Sequence, residues 1–304
     1  MSIDGNKLLV ICGPTGVGKT RLAVKLAKKF GGEIVSADSR QVYRKLNIAT
    51  GKDLSELKGI PIHLVDVADP DQTFTVAHYY RLAEGTINQI YQKNKLPILV
   101  GGTGLYIKAV VDGIDTLGIP PNNSLRQQYK SKSAEELLMI LARVNPEAAG
   151  SLNKSEQYNK QRLIRRIEIA QVGNATNNRQ HSGGVCDTLL IGLTAPDSLL
   201  KDNTNKRIDK WVKENVEGEV KTLLEQGVTW DSQAMSALGY KQWKPFFENA
   251  ETRDEVIKNW KTEEYQYAKR QLTWFKKDKR VNWYDTSVSG WLGKVEKQVH
   301  KWYH

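Results

Sequence analysis

Apolar residues in this chain fall into short unbroken runs separated by longer stretches with helical spacing. Residues 8–12 (Leu-Leu-Val-Ile-Cys), 33–37, 96–100 and 188–193 are runs of strand length. The runs at 8–12 and 96–100 are apolar throughout and suit buried strands, and those at 33–37 and 188–193 have strand character. Residues 60–70 read as one more short strand ending in a turn. Asp66 there suits either a turn former or the acidic partner of a nucleotide-bound Mg²⁺, and the short run favours the turn. Helical spacing follows the first strand (Leu22, Ala23, Leu26, Ala27, Phe30) and recurs over 76–92, 134–144, 159–172, 199–226 and 253–277. Strand and helix alternating at both ends predict an α/β fold, a parallel-sheet core with helices on both faces. Residues 118–124 (Gly-Ile-Pro-Pro-Asn-Asn-Ser) interrupt it. From there to Gly183 the chain is mainly helical and basic, with ten Lys/Arg against five Asp/Glu. Residues 174–184, polar and glycine-bearing, read as the loop leaving this segment. The expected organisation is a core at 1–114, a helical insert domain at 115–186, and a return to the core at 187–304.

The first strand runs into Gly13-Pro14-Thr15-Gly16-Val17-Gly18-Lys19-Thr20, and a helix follows at once. Strand, G-x-x-x-x-G-K-T and helix together make a P-loop, whose backbone N–H groups converge on phosphate. The helix start adds its positive dipole end, Lys19 a point charge, and the Thr20 hydroxyl an oxygen suited to Mg²⁺. The loop alone leaves open which phosphorylated molecule it holds.

Further candidates follow the later strands. Asp38 comes just past the second strand, where ligand contacts of open α/β sheets lie; it falls beside the phosphate loop if that strand neighbours the first. A helix cap is the competing role. Gly101-Gly102-Thr103-Gly104 closes the 96–100 strand where nucleoside triphosphatases often carry an aspartate; it suggests extra phosphate contacts and argues against a motor ATPase. Arg162, Arg165 and Arg166 share one helix face, while Leu163, Ile167 and Ala170 turn toward packing. That arginine face is either solvated surface or a contact for a phosphate backbone. Trp260, Tyr267 and Trp274 recur every seven residues, a row that suits a core more than a stacking platform.

The net charge of +11 on 304 residues favours a polyanionic partner such as nucleic acid. Two distant cysteines, Cys12 and Cys186, offer neither a disulfide framework nor a zinc knuckle and imply a reducing compartment. Residues 1–7 carry no signal peptide and no apolar run reaches spanning length, so a cytoplasmic protein is expected.

Six segments stand in order: Gly13 to Thr20, Ser36-Ala-Asp-Ser-Arg-Gln-Val-Tyr43, Val100-Gly-Gly-Thr-Gly-Leu-Tyr106, Gln161-Arg-Leu-Ile-Arg165, Leu238-Gly-Tyr-Lys241 and Tyr267-Ala-Lys-Arg-Gln-Leu-Thr-Trp-Phe275. Together they closely resemble the bacterial tRNA dimethylallyltransferase family, over about residues 8 to 285. The resemblance implies transfer of a dimethylallyl group from its diphosphate to the exocyclic amine of the adenosine 3′ of the anticodon. It implies that Gly13, Pro14, Thr15, Gly16, Val17, Gly18, Lys19 and Thr20 hold that diphosphate, with Mg²⁺ on Thr20. Asp38, as general base, Thr103 and Arg207 are the implied catalytic residues. The insert and the C-terminal helices are expected to grip the tRNA anticodon stem-loop. Contacts are expected from Asp38, Ser39, Arg40, Gln41, Thr103, Arg126, Gln161, Arg162, Leu163, Ile164, Arg165, Gly239, Tyr240, Lys241, Lys269 and Arg270. A monomer is expected, without membrane association.

Several positions depart from the family's habit. Val17 stands where a small hydroxyl residue is usual, Glu264-Tyr265 where Thr-Arg is common, and Asn203 where an arginine often lies upstream of Arg207. No zinc module of the kind many eukaryotic relatives carry precedes His304, which favours a bacterial-type enzyme. The competing functions are a prenyltransferase acting on free adenine nucleotide, a small-molecule kinase using ATP, and a non-catalytic RNA-binding module.

Overall fold

The computed structural model describes residues 6–52, 57, 59–113, 116, 119–172 and 187–304. Expectations for residues 1–5, Gly118, the loop at 174–184 and Cys186 lie outside them. Contacts divide the chain into two compact units, Met1–Asp112 with Gly183–His304, and Gly113–Ser182.

In the first unit, β1 (Lys7–Cys12) is buried from Leu8 onward. Its two-residue period sends Leu8, Val10 and Cys12 into one core and Leu9 and Ile11 into another. With β2 (Gly32–Ser36), β3 (Ile62–His63), β4 (Leu96–Gly101), β5 (Asp187–Thr194) and β6 (Asn282–Asp285) it forms a six-stranded sheet ordered β3-β2-β4-β1-β5-β6. Every pairing is parallel. β4 and β5 divide as β1 does, Leu99 and Leu190 to one side, Ile98, Val100, Ile191 and Leu193 to the other.

The helices, in chain order, are α1 (Lys19–Phe30), α2 (Val76–Gln92), α3 (Gly104–Asp112), α4 (Asn123–Tyr129), α5 (Ala134–Val144), α6 (Pro146–Gly150), α7 (Lys154–Gln157), α8 (Lys160–Val172), α9 (Asp197–Lys213), α10 (Val216–Glu225), α11 (Lys244–Phe247), α12 (Arg253–Phe275) and α13 (Trp291–Tyr303). α1 and α13 cover the Leu9 face through Leu22, Leu26, Phe30, Val295 and Val299. α2, α3, α9, α10 and α12 cover the Leu8 face through Tyr79, Tyr106, Trp211, Val220 and Trp260. The fold is the α/β sheet with helices on both faces that the pattern predicts.

Three expectations change. The 60–70 strand shrinks to the two residues of β3, because Leu64 and Asp66 take positive φ (63° and 57°) and turn the chain away. The helix expected over 199–226 breaks at Asn215, which is left-handed (φ 65°) and caps α10 by accepting from the Gly218 N–H at 3.2 Å. The second strand does not neighbour the first; β4 lies between them.

The second unit is helical. α4 to α8 pack around Leu125, Tyr129, Leu137, Leu141, Leu163 and Ile167. Buried among them, Glu168 accepts from Arg126 Nε (2.6 Å) and Nη2 (3.1 Å), Arg165 Nη1 (2.9 Å) and the Asn122 N–H (3.0 Å).

Candidate active site

At the carboxyl ends of β1, β2 and β4 the first unit holds a cavity of about 510 Å³. Thr15, Gly16, Gly18, Lys19 and Thr20 line it. Gly18 caps α1 with φ 88°, a left-handed turn that brings the helix start to the cavity. Lys19 Nζ donates to the Pro14 carbonyl at 2.6 Å. Burial, reinforced by the Arg207 charge, lowers its pKa from 10.5 to about 8, against the opposing pull of Asp38 and Cys12. Two cations crowded into a desolvated wall gain by receiving an anion. Pro14 offers its carbonyl to Lys19, and the Val17 side chain packs in the Leu9-side core. Burial pushes the Cys12 thiol up to about 12, which keeps it neutral.

Asp38 shares this cavity with Lys19 and Arg207. Although β4 separates β2 from β1, a glycine at 101 lets the exit from β2 close in. A Cβ there would lie 2.1 Å from the Ala37 carbonyl oxygen. Asp38 Oδ1 accepts from the N–H groups of Arg40 (2.8 Å) and Gln41 (3.4 Å), so it also shapes its own loop. Ser39, Arg40 and Gln41 join the lining. Thr103 is absent from the lining; its hydroxyl accepts from the Ser39 N–H at 3.0 Å and ties the two strand exits together.

α9 and α12 close the other side. Arg207 Nη1 donates to Thr15 Oγ1 at 2.7 Å, with its guanidinium 4.5 Å over the Trp211 ring. Asn203 donates to the Gly16 carbonyl at 3.1 Å, so the residue replacing an expected arginine holds the phosphate loop instead. Gln271, buried on α12, accepts from the Thr15 N–H (2.8 Å) and donates to the Gly102 carbonyl (3.0 Å), pinning both glycine turns. From sequence, Gln271 stood only within a family motif, Glu264 only as a departure from the family's habit, and Trp211 not at all; none had a role at the cavity. A signal existed for the first two, which are polar residues on the buried stripe Trp260, Glu264, Ala268, Gln271, Phe275.

The remaining expected RNA contacts divide. Lys241 and Arg270 line the cavity, and Lys269 is exposed. Tyr240 is fully buried with its hydroxyl on Glu219 (2.5 Å), and Gly239 packs against Trp260. In the helical unit Gln161 and Arg162 are exposed on α8. Leu163 is fully buried and Ile164 packs against the same core, so Leu163 offers a partner no side-chain atom. Arg126 and Arg165 are held by Glu168. Among the described residues no group of three or more His, Cys, Asp or Glu could hold a metal ion by itself.

A family model described as IPP transferase matches residues 41–278. The chain is 38% identical over 290 residues to the tRNA dimethylallyltransferase of Bacillus cytotoxicus, covering 92% of this chain and 90% of that one. It is 39% identical over 300 residues to that of Geobacillus thermodenitrificans, covering 95% and 94%. Among solved structures it resembles the tRNA isopentenylpyrophosphate transferase of Bacillus halodurans with a TM-score of 0.75 at 35% identity, covering 98% and 97%. A eukaryotic dimethylallyltransferase acting on tRNA gives a TM-score of 0.82 at 26% identity, covering 97% of this chain and 77% of that one. With its P-loop, its parallel sheet and a single cavity joining Lys19, Arg207 and Asp38, the chain belongs to the IPP transferase family.

Proposed function

We propose that the protein transfers a dimethylallyl group from dimethylallyl diphosphate to the exocyclic amine of the adenosine 3′ of the tRNA anticodon, releasing diphosphate. The observation that carries this is the shared cavity. The cationic side chains of Lys19 and Arg207 and the Asp38 carboxylate line the same space.

As the C–O bond to the dimethylallyl carbon breaks, its electron pair stays on the diphosphate oxygen. Negative charge grows there, and donors already in place stabilise it without reorganising. Lys19, Arg207 and the phosphate-loop N–H groups are those donors. The donor set also fits a cation carried in by the diphosphate: Mg²⁺ takes few protein oxygens beside phosphate oxygens and water, and the Thr20 hydroxyl opens α1 within the cavity. Bound on Thr20, Mg²⁺ would offset part of the leaving-group charge. The adenine amine forms the new C–N bond with its lone pair and gives a proton to Asp38. A base reaches such a site only out of its stack. Arg40, Lys241 and Arg270 at the cavity, with Lys269 nearby on α12 and Gln161 and Arg162 on the helical unit, supply donors for the RNA backbone. Thr103 acts through Ser39, holding the Asp38 loop in place.

No helix among the described residues is long and apolar enough to cross a membrane, and a tRNA substrate puts the work in the cytoplasm. The test mixes purified protein, Mg²⁺, dimethylallyl diphosphate and unmodified tRNA and looks for prenylated adenosine by mass spectrometry. Parallel arms offer AMP as acceptor and ATP as donor. Product in the AMP arm alone would establish the free-nucleotide enzyme, and ATP consumption without prenylation a kinase.

A further inference from the structure

Gln41, expected to touch RNA, has its side-chain amide fully occupied inside the protein. Nε2 donates to the carbonyls of Thr50 (3.1 Å) and Gly51 (3.3 Å), and Oε1 accepts from Ser36 Oγ at 2.9 Å. Carbonyls only accept, so these two fix which end of the amide faces them, and both of its hydrogens are spent there. The main chain is engaged as well. Its N–H donates to Asp38 Oδ1 at 3.4 Å, and its carbonyl accepts from the Asp66 N–H at 3.0 Å. One residue thus joins the end of β2, the Asp38 loop and the turn at 48–51.

That turn carries Arg207. It closes through the Gly51 N–H on the Ile48 carbonyl (2.9 Å), with Gly51 left-handed (φ 64°). A Cβ on Gly51 would come within 1.9 Å of Arg207 Nη2, so bare backbone is the seat of the guanidinium. On its other sides Arg207 donates from Nη1 to Thr15 Oγ1 at 2.7 Å and lies 4.5 Å over the Trp211 ring. Glu219 on α10 holds the outer edge of the turn, accepting from the Asn47 and Ile48 N–H groups at 3.1 Å. Gln41 holds the edge that faces the cavity.

We propose that Gln41 is a positioning residue for the diphosphate: it fixes the Gly51 turn, and through it the Arg207 guanidinium, against the Asp38 loop. This rests on the cavity being the diphosphate site. It assigns Gln41 no contact with diphosphate or RNA. Base loop and arginine then keep one register, which holds the leaving group and the proton acceptor in fixed relation.

The test titrates the full-length protein with inorganic diphosphate and Mg²⁺ by calorimetry, for wild type, Gln41→Met, Arg207→Ala and the double variant. Gln41→Met keeps the length of the side chain and removes every hydrogen bond of the amide. It should raise the Kd for diphosphate about fivefold, because Arg207 keeps Thr15 and Trp211 and loses only its backing. On the Arg207→Ala background, kept measurable by Lys19 and the loop N–H groups, the same change should cost less than about twofold. Anticodon stem-loop affinity and its salt slope, read by anisotropy, should match wild type. Unchanged diphosphate binding in Gln41→Met overturns the proposal. So does a loss that persists in full on the Arg207→Ala background, which would mark a merely structural role. Weaker RNA binding with unchanged diphosphate binding would make Gln41 an RNA contact and overturn it equally. Should Gln41→Met fail to fold, Gln41→Glu keeps an oxygen for Ser36 while losing both N–H groups, and the same cycle with the same outcomes applies. A wild-type protein that binds diphosphate without prenylating RNA would refute the functional reading while leaving this measurement intact.

Discussion

Replacing Asp38 with asparagine separates the two roles of this carboxylate. Its Oδ1 accepts from the Arg40 and Gln41 N–H groups at 2.8 and 3.4 Å, and asparagine keeps an oxygen for both. The loop that carries Ser39, Arg40 and Gln41 should therefore survive, with Tm within about 2 °C of wild type. What asparagine cannot do is take a proton. A positioned general base contributes roughly 10²–10⁴-fold, or about 2.7–5.5 kcal/mol of barrier. Asp38→Asn should thus slow single-turnover prenyl transfer by ~10² or more while anticodon stem-loop affinity changes less than about twofold. Asp38→Ala removes the loop's acceptor as well and should add about 1 kcal/mol of destabilisation to the same rate loss. The assay is rapid quench with labelled dimethylallyl diphosphate and RNA both saturating. If Asp38→Asn retains more than about a tenth of the wild-type rate, the proton leaves by another route and the general-base assignment fails.

Other expectations follow from the same contacts. Gln271→Ala strands the Thr15 N–H and the Gly102 carbonyl; it should cost roughly 2–4 kcal/mol by thermal or urea unfolding and weaken diphosphate binding, and an unchanged Tm would show the pin to be idle. The Arg162 side chain is 52% exposed with one long ion pair to Glu156 (3.5 Å). Arg162→Ala should therefore lower RNA affinity and reduce its salt slope by about one ion, read by anisotropy across a salt series; an identical slope would make Arg162 plain surface. Arg165→Ala should act differently, lowering the melting temperature of the protein, because Arg165 serves Glu168 and the carbonyls of Thr116 and Ile119. Glu33 is buried; burial raises its pKa, but hydrogen bonds from Lys95, His63 and Lys93 outweigh that and hold it at about 2 instead of 4.5. Its stabilising effect is complete above the unfolded pKa and disappears as pH falls toward 2. The stability gap between wild type and Glu33→Gln, roughly 2–3 kcal/mol after screening of the half-exposed lysines, should close over that range and stay flat above about pH 5.

What could be read from sequence was whatever the local period carries. β1, β4 and β5 are unbroken apolar runs, and α2 and α5 hold their apolar stripe from cap to cap, so their ends were legible to within a residue or two. β6 (Asn-Trp-Tyr-Asp) is a half-buried edge strand with no apolar run, and it passed unnoticed with α13 behind it. Asn215 breaks the α9–α10 stretch through a left-handed φ that nothing in its neighbours announces. The aromatic row on α12 shows the limit of spacing. A seven-residue repeat drifts around a straight helix by about 20° per heptad. Trp260 is accordingly buried in the core, Tyr267 lines the cavity, and Trp274 is 41% exposed beside Gly104. Charge spacing misled in a similar way on α8. Arg162 and Arg165 share a face, but only the fold reveals the buried Glu168 that occupies one of them.

The place of the cavity follows from how the chain leaves the sheet. After β1 it enters α1, which packs on the Leu9 face; after β4 it enters α3, which packs on the Leu8 face. Adjacent parallel strands whose helices go to opposite faces leave a crevice beyond their carboxyl ends. The phosphate loop and the Gly101–Gly102 turn are the two lips of that crevice. β2, paired to β4 on the far side, then delivers Asp38 over Gly101 into the same space. A P-loop in this position holds a chain of phosphates whatever is attached to it. In the proposed function the chemistry is decided by what faces the loop, which here is the Asp38 carboxylate. Moving Asp38 by one residue along its loop would keep the phosphate site whole and abolish transfer. In the proposed reaction the anion wall comes from β1 and α9, and the base from β2.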